Sequence, residues 1–168
     1  MSDNSKIEWT DATWNPVTGC TKVSPGCANC YMFREYPRLA RMGVPGYAGG
    51  TPDQVRIWPE RLKEPIHWRK PRRVFVCSMA DLFHGDVPED FILKVLGTCV
   101  ASLNQWSSAA KLFGGHIFQI LTKRPERMAV VVPKLTACTV VNPVPVMVTL
   151  VPPATGPLVR ESEVMVGP

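Results

Sequence analysis

No stretch of the 168-residue chain stays apolar long enough to span a bilayer, and the opening MSDNSKIEW lacks the apolar core of a secretory signal. Both absences argue against a membrane-spanning or exported protein and leave the cytoplasm as the expected location. Residues 129–168 contain no Trp, Tyr or Phe, and only Lys134, Arg160, Glu161 and Glu163 are charged there. Such a segment has little with which to build a core of its own. Neither sign of charge dominates: 19 Lys and Arg against 14 Asp and Glu give a formal +5. That balance favours an anionic partner, such as nucleic acid, a nucleotide or a phosphorylated cofactor, only weakly.

What the sequence does contain is a concentration of thiols. Of its six cysteines, Cys20, Cys27 and Cys30 fall within eleven residues. In a reducing compartment that clustering points to metal binding or catalysis rather than to a disulfide framework. The two-residue gap between Cys27 and Cys30 lets two thiolates reach one metal or cluster, and the Ser24-Pro25-Gly26 turn brings Cys20 back to the same point. Three thiolates without a fourth ligand at familiar spacing suit a site with one open coordination position. The plainer alternative is a structural zinc ion completed by His67, His84 or Cys77. Otherwise Cys77 and Cys138 read as ordinary thiols and Cys99 as a small core residue.

Taken in order, Ile7 and Trp9 alternate with polar neighbours before the Asn15-Pro16 turn, so a short strand over residues 6–19 is expected to lead into the cysteine loop. Between Ala28 and Met42, Met32, Phe33, Tyr36, Leu39 and Ala40 recur at helical spacing, with Arg34, Arg38 and Arg41 between them. Gly43 is the natural stop, and Pro37 predicts a kink or an early end. Residues 43–59 read as loop with room for a short strand at Gln54–Trp58, and residues 60–67 as a helical turn or two. The basic run from Arg69 to Arg73 reads as solvated surface, with phosphate contact the lesser alternative. Val74–Cys77 has the apolar run of a strand buried on both faces of a parallel sheet.

A loop from Ser78 to Gly85 follows, and Asp86 with Glu89 resembles a capping box that opens a helix, with Pro88 in its first turn. Phe91, Ile92, Val95, Leu96, Cys99, Val100 and Leu103 form its apolar face. Residues 107–115 read as loop, and His116–Leu121 as a second buried strand leading into Thr122-Lys123-Arg124. Alternating strands and helices predict an α/β fold, a parallel sheet with helical crossovers. Functional loops in such sheets lie at the carboxyl ends of the strands. The cysteine loop, the Asp81–His84 loop and the Lys123-Arg124 loop are therefore expected to meet on one rim. Trp9, Trp14, Trp58 and Trp68 read as packing groups rather than base-stacking platforms. After Met128 the strings Val130-Val131-Val132-Pro133 and Asn142-Pro143-Val144-Pro145-Val146 predict irregular chain, which divides the sequence into residues 1–128 and a Val/Pro-rich tail, 129–168.

The segments IEWTDATWNPVTGCTKVSPGCANCY, PERLKEPIHWRKPRRVFVCSMADLFHGDVPEDFI and HIFQILTKRPERM resemble the N-terminal half of a phage-associated three-Cys-motif family that is itself similar to radical S-adenosylmethionine (SAM) enzymes. The resemblance spans residues 6–128. It implies a partial or complete TIM-like barrel holding a 4Fe-4S cluster on Cys20, Cys27 and Cys30. SAM would bind the open iron, and an electron from an external donor would cleave it to a 5'-deoxyadenosyl radical that takes hydrogen from an unknown substrate. Ser78, Asp81, His84, Lys123 and Arg124 are the expected cofactor-binding residues. For Asp81 and His84 the alternative is loop bracing and packing, and for Lys123 and Arg124 a solvated loop. Because nothing in the tail resembles the family's second half, the chain is expected to be a truncated half-barrel. The competing readings are a zinc-stabilised module that binds nucleic acid or a phage protein, and a non-functional remnant.

Overall fold

In chain order the elements are β1 (Ala12–Trp14), β2 (Val17–Thr18), α1 (Tyr31–Arg41), β3 (Arg56–Ile57), β4 (Arg73–Val76), α2 (Glu89–Asn104), β5 (Ile117–Thr122), α3 (Pro125–Cys138) and β6 (Val148–Leu150). Short 3-10 turns occupy Pro25–Cys27, Pro59–Lys63 and Pro65–His67. The computed structural model describes residues 5, 7–104, 115–138 and 148–150. Four strands form one parallel sheet in the order β1-β4-β5-β6, and β2 pairs antiparallel with β3 beside it. Each parallel strand thus lies next to its successor, with α2 and α3 as crossovers. The result is a mixed α/β fold with a small open sheet and no closed barrel among the described residues.

Strand alternation decides where the core lies. Trp14, Val74, Val76 and Ile120 share one buried cluster with Phe91, Ile92, Val95, Leu96 and Cys99 of α2 and Val131 of α3. The i, i+3, i+4 spacing in α2 therefore meets the period-two spacing of β4 across the main core. Full burial of such side chains contributes about 1.5–3 kcal/mol each. The sheet register places Thr13, Phe75 and Gln119 in one row, between the residues that enter this core. Trp9 covers Phe75 there, with ring centroids 4.7 Å apart. A second cluster of Met32, Tyr36, Tyr47 and Met79 seats α1.

Several expectations need correction. Ile7 and Trp9 belong to a turn closed by the Thr10 amide on the Ile7 carbonyl (3.1 Å), and the strand begins only at Ala12. Thr10 and Asp11 then hold the strand's start against Arg73, through the Thr10 hydroxyl on the Arg73 carbonyl and the Arg73 amide on Asp11 Oδ2. Asp86 is not the helix cap. The first bonds of α2 run from the Phe91 and Ile92 amides to the Pro88 carbonyl, which leaves Asp86 outside the first turn with its carboxylate 3.7 Å from His84 Nδ1.

Pro37 neither ends nor interrupts α1, which continues to Arg41 and stops before Gly43 at φ 67°. The expectation of irregular chain from residue 129 does not hold for residues 129–138, which continue α3 through Pro133. One missing backbone donor at Pro133 is outweighed where Met128, Val131 and Val132 pack on the main core. Val148–Leu150 pairs in parallel with β5. The loop expected at residues 107–115 lies outside the described residues up to 114, as do 139–147 and 151–168 of the tail. Among the described residues no helix is long and apolar enough to cross a membrane.

Because Ile92 is fully buried between α2 and the sheet, Ile92→Ala should lower unfolding free energy by about 2–5 kcal/mol. Val130→Ala, at a side chain 60% exposed, should change it by less than about 0.5 kcal/mol. Urea denaturation of the two variants distinguishes these outcomes.

Candidate functional site

The cysteine loop leaves β2 through Gly19, whose φ of 84° suits glycine and whose missing side chain is filled by other backbone. A Cβ there would stand 2.1 Å from the Gln54 carbonyl oxygen. The Gly19 amide bonds the Met79 carbonyl (3.1 Å) and the Cys20 amide bonds the Pro52 carbonyl (2.9 Å), so Cys20 starts from a fixed point. Pro25–Cys27 forms a 3-10 turn, closed by the Cys27 amide on the Ser24 carbonyl (2.9 Å). Cys30 then takes the N-cap position of α1, with extended backbone before the first helical turn. The three thiols are thus placed by a strand end, a 3-10 turn and a helix start.

Across from this loop stands Asp81, 5% exposed. Its Oδ1 accepts from the Phe83 amide (3.0 Å) and the Thr122 hydroxyl (2.8 Å). Oδ2 accepts from the Lys123 amide (2.9 Å) and Arg124 Nη1 (3.1 Å). A single carboxylate therefore ties the loop after β4 to the loop after β5. Arg124 extends the tie into the cysteine loop: Nη1 also reaches Cys20 Sγ at 3.6 Å, while Nη2 donates to the Thr21 carbonyl (3.0 Å) and hydroxyl (3.2 Å). The Thr21 hydroxyl meets His84 Nε2 at 2.6 Å. Since the Asp86 amide donates to His84 Nδ1 at 3.1 Å, Nδ1 is the acceptor and the ring proton sits on Nε2.

A cavity of about 370 Å³ opens between these loops. Cys20, Cys27 and Cys30 all line it, together with Ser78, Asp81, Lys123 and Arg124. Of the expected cofactor-binding residues only His84 lies off the cavity wall, behind Thr21. The Ser78 hydroxyl is engaged with Asn15 Oδ1 (3.1 Å), and Lys123 Nζ with the Gly26 carbonyl (3.1 Å). Asp81 braces loop amides, the structural alternative for that residue, and Arg124 is bonded rather than solvated. His67 and His84 are not on the wall, whereas Cys77 is. Cys77 follows β4 at φ 56°, held by its amide on the Trp14 carbonyl (2.8 Å).

Sequence reasoning missed Asn15, Thr21 and Tyr31. Asn15 Oδ1 accepts from the Met79 amide at 3.1 Å as well as from Ser78, and the Tyr31 hydroxyl donates to the Ser78 carbonyl. Their positions beside Cys20, beside Cys30 and at the end of β1 were the only available signals. The remaining wall is mainly apolar, with Met32, Phe33, Phe75 and Leu121.

Local charge separates the thiols. Burial pushes Cys20 up, against the opposing effect of Arg124. Burial also raises Cys27, but bonds from the backbone at Val23 and Ser24, the Ser24 hydroxyl and Lys123 outweigh it and hold that thiol below its ordinary value. Burial pushes the Cys77 thiol far up, consistent with a packed, unionised group. Among the described residues no three His, Cys, Asp or Glu side chains converge closely enough to hold a single metal ion. The three thiols line one cavity.

The family described as "Protein of unknown function (DUF5131)" matches residues 4–156 of the chain. No curated protein and no solved structure matches it.

Gly19→Ala should destabilise the chain by at least about 1–3 kcal/mol through its backbone conformation, before the contact with Gln54 is counted. Thermal unfolding checks this. His84 is held below its ordinary value of 6.5, by burial first and Arg124 second. Its depressed value makes the neutral ring the native form, so its stability contribution is whole above pH 6.5 and lost as pH falls through the folded value. Stability measured against pH should fall less steeply below pH 6.5 in His84→Gln than in the parent chain; identical slopes would show that the ring does not titrate in this way.

Proposed function

We propose that this chain, which belongs to the family described as "Protein of unknown function (DUF5131)", binds a 4Fe-4S cluster through Cys20, Cys27 and Cys30 and serves radical-SAM-type chemistry. The observation that carries the reading is that all three thiols line one cavity at the carboxyl ends of parallel strands. The donor set fits the group. Thiolates are the usual ligands of such clusters, and each of the three binds a different iron, so they stand farther apart than ligands of one ion. Ligands of a zinc ion with bonds of about 2.3 Å would crowd within about 4 Å of one another. A structural zinc ion would need a fourth protein ligand, and of His67, His84 and Cys77 only Cys77 lines the cavity, with its thiol pushed far up by burial.

Sequential strand order is also what the first half of a barrel of this type would have. When bound, such a cluster supplies one-electron chemistry, including the reductive cleavage of SAM at its open iron. The chain's own residues shape the rest. Asp81 and Arg124 are committed to one another and to the loops, and so brace the site rather than wait for a ligand carboxylate. The apolar wall of Met32, Phe33, Phe75 and Leu121 suits an uncharged, planar part of a ligand and keeps water from it.

Anaerobic reconstitution of the full chain with iron and sulfide tests the reading. Uptake of about four irons per chain with a broad visible charge-transfer band is expected. A Cys20, Cys27, Cys30 triple alanine variant should lose both. Stoichiometric zinc with no such band would overturn the cluster. Reduction in the presence of SAM should then release 5'-deoxyadenosine, and a reduced cluster that releases none would remove the SAM chemistry while leaving the cluster.

A further inference from the structure

Both terminal nitrogens of Arg124 are bonded at the site, and the arrangement of those bonds is asymmetric. Nη1 stands between Asp81 Oδ2 at 3.1 Å and Cys20 Sγ at 3.6 Å, and Nη2 holds the Thr21 carbonyl at 3.0 Å. The side chains of Arg124 and Asp81 are only 12% and 8% exposed, so this pair is screened far less than a surface pair. It presents its positive end to Cys20 and its negative end to the Thr122 hydroxyl and the Lys123 amide.

We propose that Arg124 is the positioning residue for the Cys20 ligand and, through its N–H···S bond, raises the reduction potential of the cluster that Cys20, Cys27 and Cys30 hold. This inference rests on the cluster reading. Reduction adds negative charge that spreads onto the ligating sulfurs, and a cationic donor beside one sulfur stabilises the reduced form more than the oxidised one. Asp81 opposes part of that effect. It keeps the guanidinium oriented and also offsets its charge, so the two residues act on Cys20 with opposite sign. Lys123, on the same rim, spends its ammonium on the Gly26 carbonyl and makes no such bond to a sulfur.

Redox titration of the reconstituted chain, followed by its visible spectrum, tests this. Arg124→Gln removes the charge and leaves Asp81 unopposed beside Cys20. The one-electron reduction equilibrium should shift about tenfold toward the oxidised form, about 59 mV downward. Asp81→Asn, which keeps the shape and removes the opposing charge, should shift it the other way. Lys123→Gln should shift it by less than Arg124→Gln. No shift in Arg124→Gln, an equal shift in Lys123→Gln, or shifts of the same sign in Arg124→Gln and Asp81→Asn would each overturn the inference.

Loss of Arg124 strips a buried carboxylate of its partner, so a second measurement uses the parent chain. With 15N-labelled arginine, pulsed electron paramagnetic resonance of the reduced cluster should show an arginine nitrogen coupling that is absent in Arg124→Lys, whose ammonium has no guanidinium nitrogens. A parent spectrum without that coupling overturns the N–H···S bond whether or not the glutamine variant folds. A parent chain that takes up no cluster overturns the cluster reading itself, which separates the two failures.

Discussion

The buried carboxylate of Asp81 is the constraint on which the site depends. Desolvating a charge is costly, and an ion pair alone seldom recovers that cost; the pair becomes favourable only when its remaining lone pairs are also filled. At Asp81 they are, by two loop amides, the Thr122 hydroxyl and the Arg124 guanidinium. These donors belong to the loop after β4, the end of β5 and the loop that follows it, so the carboxylate fixes the separation of those loops. The guanidinium then fixes the cysteine loop to both. Removing either charge leaves the other buried and uncompensated, at a cost of about 3–5 kcal/mol for a pair of this kind.

The position of that pair follows from the sheet. Val74 and Val76 face the α2 core while Phe75 faces the opposite way, and Cys77 follows the strand in a left-handed conformation that turns the chain out of the sheet. The Cys77 amide, bonded to the Trp14 carbonyl, carries the parallel pairing one residue beyond β4. Asn15, at the end of β1, receives the Ser78 hydroxyl and the Met79 amide through one oxygen. Three neighbouring elements are therefore stitched at their carboxyl ends before any ligand is considered, and the cavity is the space they leave. A scaffold braced in this way can hold thiols at set positions with little reorganisation.

Much of this was legible in the residues, and the parts that were not have physical reasons. The apolar stripe of α2 and the short runs of β4 and β5 were readable because burial imposes their spacing. The meeting of the Asp81 and Lys123-Arg124 loops was readable because carboxyl ends of parallel strands share a rim, whereas the cysteine loop joins them from β2, which pairs antiparallel with β3 beside that sheet. Partners were not. A carboxylate and a guanidinium forty-three positions apart carry no mark of each other in sequence, so Arg124 read equally as a ligand-binding or a solvated residue. Asp86 with Glu89 had the spacing of a capping box, but the Pro88 carbonyl starts the helix and leaves Asp86 free to approach His84. At Pro133 a local rule gave way to burial of the valines around it. For the three thiols, spacing raised the expectation of a shared ligand but could not show what each one faces.

The central claim is that Cys20, Cys27 and Cys30 act together on a multi-iron group at this rim. X-ray absorption at the iron edge of the anaerobically loaded full chain tests it most directly, because it reads the immediate surroundings of the metal. The account predicts a sulfur-dominated first shell with a strong iron–iron shell beyond it, and loss of the iron–iron shell when all three cysteines are replaced by alanine. Iron bound singly, in a shell of oxygen and nitrogen that persists without the thiols, would contradict it.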